Sequence, residues 1–296
     1  MIPVYYSTAY TAASHSFDTT RKSAWIVDSL RAAPIPGNVL VEPLSLTADQ
    51  VAAVHDPVYV RAIETGVPRA LAESQGFVWD PGLWPMVLAS NGGIVAAALA
   101  ALEQGVAGSL SSGMHHARYD HGSGACTFNG LVIAARSALA AGTRGVLILD
   151  VDAHCGGGTA SLIAGEPRIT QIDIAVNSFD SYPSTTQARL DVVTNSAAYL
   201  STIRSRLAEI DRRGEQFDLC LYNAGMDPCE DCDTGSLPGV NATVLGERER
   251  LVFEWCRGRR LPVVYVLAGG YIGPRLDQRR LVELHRLTMA AAAFVM

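Results

Sequence analysis

The 296-residue chain is 49% hydrophobic and 18% charged, which describes a folded protein with a sizeable core and excludes a disordered one. Its formal charge of −6 argues against the clustered basic surface that holds nucleic acid, so no nucleic-acid partner is expected. Six cysteines are too few for a disulfide scaffold, and "MIPVYYSTAY" lacks a basic then apolar leader, so a reduced, cytoplasmic protein is expected.

Along the chain, "PVYY" (3–6) and "VLVEP" (39–43) predict the first strands. "LTADQVAAVHD" predicts a helix in which Thr47 and Gln50 form a capping box. "GIVAAALAALEQG" predicts an apolar helix too short to span a bilayer, so no membrane contact is expected. The loop "SSGMHHARYDHGSGACTFN" follows, carrying His115, His116 and His121. Further strands are predicted at "GVLILD" (145–150), "ITQIDI" (169–174), "DLCLYN" (218–223) and "PVVYVLA" (262–268). Between and after them, "SAAYLSTIRSRLAEIDRRG", "LGERERLVFEWCRGRR" and "QRRLVELHRLTMAAAAFV" carry helical spacing, the first ending in basic residues and stopping at Gly214. Apolar strands alternating with helices imply an α/β protein: a mainly parallel sheet with helices on both faces, in one domain over 1–296.

In such a sheet ligands bind beyond the carboxyl ends of the strands, so polar residues following separate strands should converge there. "GVLILD" leads into Asp152 and His154, "DLCLYN" into Asp227, and "PVVYVLA" into Tyr271. Two carboxylates and an imidazole can hold one divalent ion and leave positions open for water and substrate. Residues two apart on a strand point the same way, so Asp152 and His154 can reach the same ion. Burying two aspartates without a cation is costly. Zn2+ is the expected ion, and Fe2+ suits the same oxygen-rich set. The competing reading makes Asp152 and Asp227 helix caps and His154 a satisfied core histidine. Beside a metal, His115 and His116 can take a proton from bound water and return it to a leaving group. Asp150 can fix the tautomer of one of them. Tyr271, after the small residues of "LAGG", can polarise a carbonyl and stabilise its oxyanion.

These motifs together resemble the histone deacetylase superfamily of metal-dependent amidohydrolases. "GMHHA" is similar to its paired-histidine motif, "DVDAH" to its two-ligand strand, "NAGMD" to its third-ligand segment and "GGY" to its tyrosine turn. "LTADQVAAVHDPVYVRAIETG" resembles its N-terminal helical segment, and the motifs follow the family's order from about residue 5 to residue 275. "DVDAHCGGG" and "YNAGMD" most resemble its class IV branch. The resemblance implies a single-domain arginase/deacetylase-like fold, metal ligands Asp152, His154 and Asp227, and an acid/base pair His115 and His116 with Asp150 partnering His115. It implies Tyr271 as the carbonyl-polarising phenol. It also implies a structural K+ near Asp150 and the backbones of Asp152 and His154, with Asp173 as a further contributor. The implied substrate is an acyl amide: an acyl-lysine protein, an acylpolyamine or a small metabolite.

Three departures from the family stand out. Cys155 replaces the usual His or Gln after the metal-binding histidine, and Gly157 replaces the carboxylate or amide that orients the second histidine, which leaves His116 without its expected partner. Ala125 replaces an aromatic wall of the acyl tunnel, with Tyr182 expected to supply the opposite wall and a wider channel expected to result. Rival readings fare worse. A binuclear Mn2+ ureohydrolase needs carboxylates where Gly156 and Cys229 stand, and the acidic surroundings of "HCGGGTAS" would repel a dinucleotide. A catalytically weak binding relative is supported mainly by Gly157. The pair Cys229 and Cys232 is read as ordinary loop cysteines, with a regulatory disulfide as the alternative.

Overall fold

The structure is a computed structural model describing residues 1–13 and 18–294, with backbone alone at 18–20. Its elements in chain order are β1 (Ile2–Tyr5), α1 (Asp18–Ala32), β2 (Asn38–Val41), α2 (Ala48–Ala52), α3 (Pro57–Thr65), α4 (Arg69–Ala72), α5 (Leu83–Gln104), β3 (Val106–Ser109) and α6 (Gly130–Ala140). They continue with β4 (Val146–Asp150), α7 (Gly157–Ile163), β5 (Ile169–Ala175), β6 (Ala188–Val192), α8 (Ser196–Arg213), β7 (Leu219–Asn223), α9 (Ala242–Arg259), β8 (Val263–Val266) and α10 (Gln278–Phe294). Among the described residues the eight strands form one sheet in the order β2-β1-β3-β8-β7-β4-β5-β6, and every pairing is parallel.

Both faces of that sheet are covered, because alternate strand residues enter different cores. Leu147 and Leu149 of β4 pack into a cluster with Tyr199, Ile203 and Phe253 of α8 and α9. Val146 and Ile148 face a second cluster with Ala97 and Ala98 of α5 and Leu131 of α6. This double burial explains why the central strands read as unbroken apolar runs. The predicted caps form as expected. Thr47 and Gln50 close a capping box on α2, and Gly214, in the left-handed region at φ 64°, ends α8.

Two strands lie outside the predicted set. β3, "VAGS", is short and built of small residues because Tyr265 lies across it: a side chain at Gly108 would place its Cβ 2.1 Å from Tyr265 Cζ. β6, "ARLDV", is an edge strand whose Arg189 and Asp191 pair with neighbouring charges, so no apolar run announces it. The apolar helix is also longer than predicted. α5 runs for 22 residues and is long and apolar enough to cross a membrane, but two thirds of its most apolar window is buried inside the fold. Here its length serves the core, where it packs against α6 and β3.

The strand order sets the position of the site. From β4 the chain moves outward through β5 to β6, then returns to place β7 and β8 on the other side of β4. The crevice at the carboxyl ends of β4 and β7 is therefore the switch point, where α/β sheets hold their ligands.

Candidate active site

Asp152 and His154 follow β4, and Asp227 follows β7, on the two sides of that crevice. One ligand atom from each lies within 4.8 Å of the others. His154 Nδ1 is 3.2 Å from Asp152 Oδ1 and 3.1 Å from Asp227 Oδ2. Asp152 and Asp227 are both buried. Their remaining contacts hold them in place: Asp152 Oδ1 accepts from the His154 amide at 3.0 Å, and Asp227 Oδ1 from the Ala153 amide at 3.0 Å. Asp227 Oδ2 has no aligned hydrogen-bond donor among the described residues. Neither aspartate caps a helix: the N-cap of α7 is Gly156 and that of α9 is Asn241.

Two buried carboxylates set close to one imidazole dominate the electrostatics of this trio. Burial and the Asp152 carboxylate push Asp227 up to about 6. Burial works to lower His154, but its hydrogen bond to Asp152 and the adjacent Asp227 and Asp152 charges overcome that and push it up to about 11. A proton on His154 would offset only one of the two buried carboxylate charges, whereas a divalent cation would balance both. The donor set of two oxygens and one nitrogen therefore fits such an ion.

The loop after β3 brings His115 and His116 alongside, ring centroids 4.0 Å apart, both buried. Buried polar residues hold its backbone. The Thr159 amide donates to the His115 carbonyl at 2.9 Å, Asn129 Nδ2 donates to it at 3.3 Å, and the Asn129 amide donates to His55 Nε2 at 3.0 Å. His115 Nδ1 lies 2.7 Å from Asp150 Oδ2, and its Nε2 is 3.6 Å from Asp152 Oδ1. Asp150 is aimed by the Asp152 amide at 3.1 Å and by Asn223 Nδ2 at 2.8 Å, both on Oδ1. Burial would lower His115, but Asp150 and Asp152 push it up to about 10; burial and the neighbouring His115 push His116 down to about 4. His121 lies apart, half-exposed and paired with Asp120.

His116 does not lack a partner. Its Nδ1 is 2.9 Å from Asp180 Oδ2, on the loop after β5, and Arg118 donates to Asp180 Oδ1. Gly157 is the reason: a Cβ there would stand 2.4 Å from the Asp180 carbonyl oxygen and 2.6 Å from Oδ1. The missing side chain leaves the space that a carboxylate from another loop fills. Tyr182 is not the opposite wall either. Its hydroxyl donates to buried Asp173 Oδ2 at 3.0 Å, whereas Phe179 sets its ring edge-on at 5.1 Å from His116 and 6.0 Å from His154. Ala125 and Met114, both in the left-handed region, line a largely apolar cavity with Phe77, Leu83, Met86 and Phe128.

The turn after β8 completes the crevice. Gly269, at φ 51°, passes so close to Asp227 that a Cβ would lie 2.1 Å from its Oδ1. Lys22, the only lysine of the chain and fully buried, donates to the Gly269 carbonyl. Tyr271 follows, half-buried against the core. Behind Asp152 and Asp227, Arg248 of α9 is completely buried and donates to the carbonyl of Gly225 at 2.7 Å and to Tyr199 Oη at 3.1 Å. Its Nε is 2.9 Å from Glu249 Oε1, which also accepts from Tyr222 Oη at 3.0 Å. All six cysteines are free thiols and buried, Cys229 and Cys232 included.

The histone deacetylase domain family matches residues 15–285. An uncharacterized protein of Picosynechococcus is 34% identical over 246 residues, covering 81% of this chain and 80% of that one. Histone deacetylase 2 of Arabidopsis thaliana is 28% identical over 250 residues, covering 79% of this chain and 63% of that protein. The crystal structure of an acetylpolyamine aminohydrolase from Burkholderia pseudomallei superposes with a TM-score of 0.80 over 100% of this chain and 99% of that one, at 21% identity, a likeness of fold.

Proposed function

The chain belongs to the histone deacetylase family, whose members are generally metal-dependent, and from that premise we propose that it is a zinc-dependent deacylase of linear N-acyl amides. The observation that carries the reading is the convergence of Asp152, His154 and Asp227 on one point at the switch of the sheet, with the two histidines beside it. In this reading the three side chains hold Zn2+, with Fe2+ as the alternative ion for the same donors. When bound, the ion polarises the amide carbonyl and lowers the pKa of water.

The chain's own residues supply the rest. His116, neutral near pH 7 because burial and His115 depress its pKa, takes the proton from the attacking water. His115, its Nδ1–H held by Asp150, keeps a fixed ring orientation beside the reacting carbonyl, and as the C–N bond breaks a protonated histidine of the pair gives its proton to the leaving amine. The Tyr271 phenol donates to the developing oxyanion. Asp173 Oδ1, buried and without a hydrogen-bond partner among the described residues, supports a K+ ion shared with Asp150. Six unpaired thiols support a reducing compartment, the cytoplasm.

The substrate is an acyl-lysine protein, an acylpolyamine or a small amide metabolite, and the small side chain of Ala125 favours acyl groups larger than acetyl. The test is a screen of acyl-chain length and amine scaffold on metal-reconstituted protein. Metal-dependent amine release supports the reading. Stoichiometric metal with no turnover on any acyl amide would instead make the chain a binding relative, and strict acetyl preference would refute the wider channel.

A further inference from the structure

We propose that Asp180, clamped by Arg118 in the space vacated at Gly157, is the positioning residue that sets the tautomer of His116. The inference rests on the deacylase reading for its effect on turnover, but its geometry stands independently. Asp180 Oδ2 accepts from the Gly158 amide at 3.2 Å and lies 2.9 Å from His116 Nδ1, while Oδ1 accepts from Arg118, whose Nη1 also donates to the Gly157 carbonyl at 3.3 Å. Three donors converge on the two oxygens, so His116 must present Nδ1–H and keep the Nε2 lone pair free for the proton it accepts. The Nδ1 proton stays on the ring throughout, and Asp180 remains a carboxylate.

The backbone is shaped for this task. Asp180 sits in the left-handed region at φ 60°, which few non-glycine residues occupy but which aspartate tolerates better than most. The preceding carbonyl, Phe179 O, accepts from the Cys155 amide at 3.0 Å, so the loop is also fastened by its backbone just before Asp180. A carboxylate is the one side chain of this shape that satisfies the whole set. An amide at 180 would either turn its NH2 toward Arg118 or turn it toward the Gly158 amide and His116 Nδ1. The second arrangement keeps the Arg118 bond and forces His116 into the other tautomer, with the proton on Nε2, where it can no longer act as base.

The experiment combines steady-state kinetics of full-length, zinc-loaded protein with nitrogen-15 histidine NMR of the metal-free protein. For Asp180→Asn we expect kcat lower by on the order of 100-fold. KM and zinc content should stay close to wild type, and the His116 proton should move from Nδ1 to Nε2. Arg118→Gln, which loosens the clamp without touching the histidine, should lower kcat in the same direction by a smaller factor and carries the test if Asp180→Asn fails to fold. Wild-type kcat in both variants, or an unchanged His116 tautomer in Asp180→Asn, overturns the proposal. If wild-type protein releases no amine from any acyl amide while Asp180→Asn still switches the tautomer, the deacylase reading fails and the positioning of His116 survives.

Discussion

Replacing Arg248 by methionine tests how the site is supported from behind. The guanidinium is fully buried and binds Glu249, the Tyr199 hydroxyl and the Gly225 carbonyl, two residues before Asp227. Removing it leaves Glu249 as an uncompensated buried charge, whose Oε2 already lacks a hydrogen-bond partner among the described residues. Breaking one side of such a pair costs about 4 kcal/mol. With an unfolding entropy of roughly 2.1 cal/mol/K per residue over 296 residues, or about 0.6 kcal/mol/K, Tm should fall by about 6 °C. Glu249→Met should cost a similar amount for the opposite reason. The double variant removes both charges, leaves the Tyr199 and Tyr222 hydroxyls and the Gly225 carbonyl to find other partners at roughly 1 kcal/mol each, and should be more stable than either single variant. Differential scanning calorimetry of metal-free protein measures all three. A double variant less stable than both singles, or Arg248→Met with an unchanged Tm, would refute the paired-charge account.

Three further outcomes concern other residues around the site. His55 is buried with Nδ1 at the Arg118 carbonyl and Nε2 accepting from Asn129, and burial depresses its pKa to about 4. The unfolded chain therefore binds its proton first, so the stability His55 contributes is whole above pH 6.5 and is lost, by roughly 3 kcal/mol, as pH falls toward 4. Urea titrations should show His55→Gln with a shallower loss over that window, and parallel curves would contradict it. Gly269→Ala places a Cβ against Asp227 at a positive φ, and should weaken zinc binding by about 10- to 100-fold in calorimetric titration; unchanged affinity would show that the turn does not hold the ligand. Tyr271→Phe should keep its metal and lose roughly 100- to 1,000-fold in kcat, whereas full activity would remove the phenol from the mechanism.

Much of the sheet was readable because burial on both faces writes strands as unbroken apolar runs, as in "GVLILD" and "DLCLYN". β3 was not, since its Gly108 answers to Tyr265, a residue far away in sequence. The gathering of polar residues after β4 and β7 is likewise legible from one rule, that polar groups collect at the carboxyl edge. The same rule applied to β5 points to Asp180 in "NSFDSY", whereas the family's spacing points to position 157, where a glycine stands. A carboxylate delivered by a different loop leaves no local motif. Arg248 and Glu249 were hidden for another reason: within "GERERL" they look like a solvated helix face, and only the packing of α9 against the chain behind Asp152 and Asp227 buries them.

The central claim is that one metal held by Asp152, His154 and Asp227 makes this chain a deacylase. It is tested most directly by titrating metal-free protein with Zn2+ while measuring amine release from acyl-lysine and acylpolyamine substrates. Activity should rise linearly, stop at one ion per chain, and be absent in Asp152→Ala and His154→Ala at the same zinc level. Saturation at one ion with no amine released from any acyl amide, or equal turnover by the ligand variants, would contradict it.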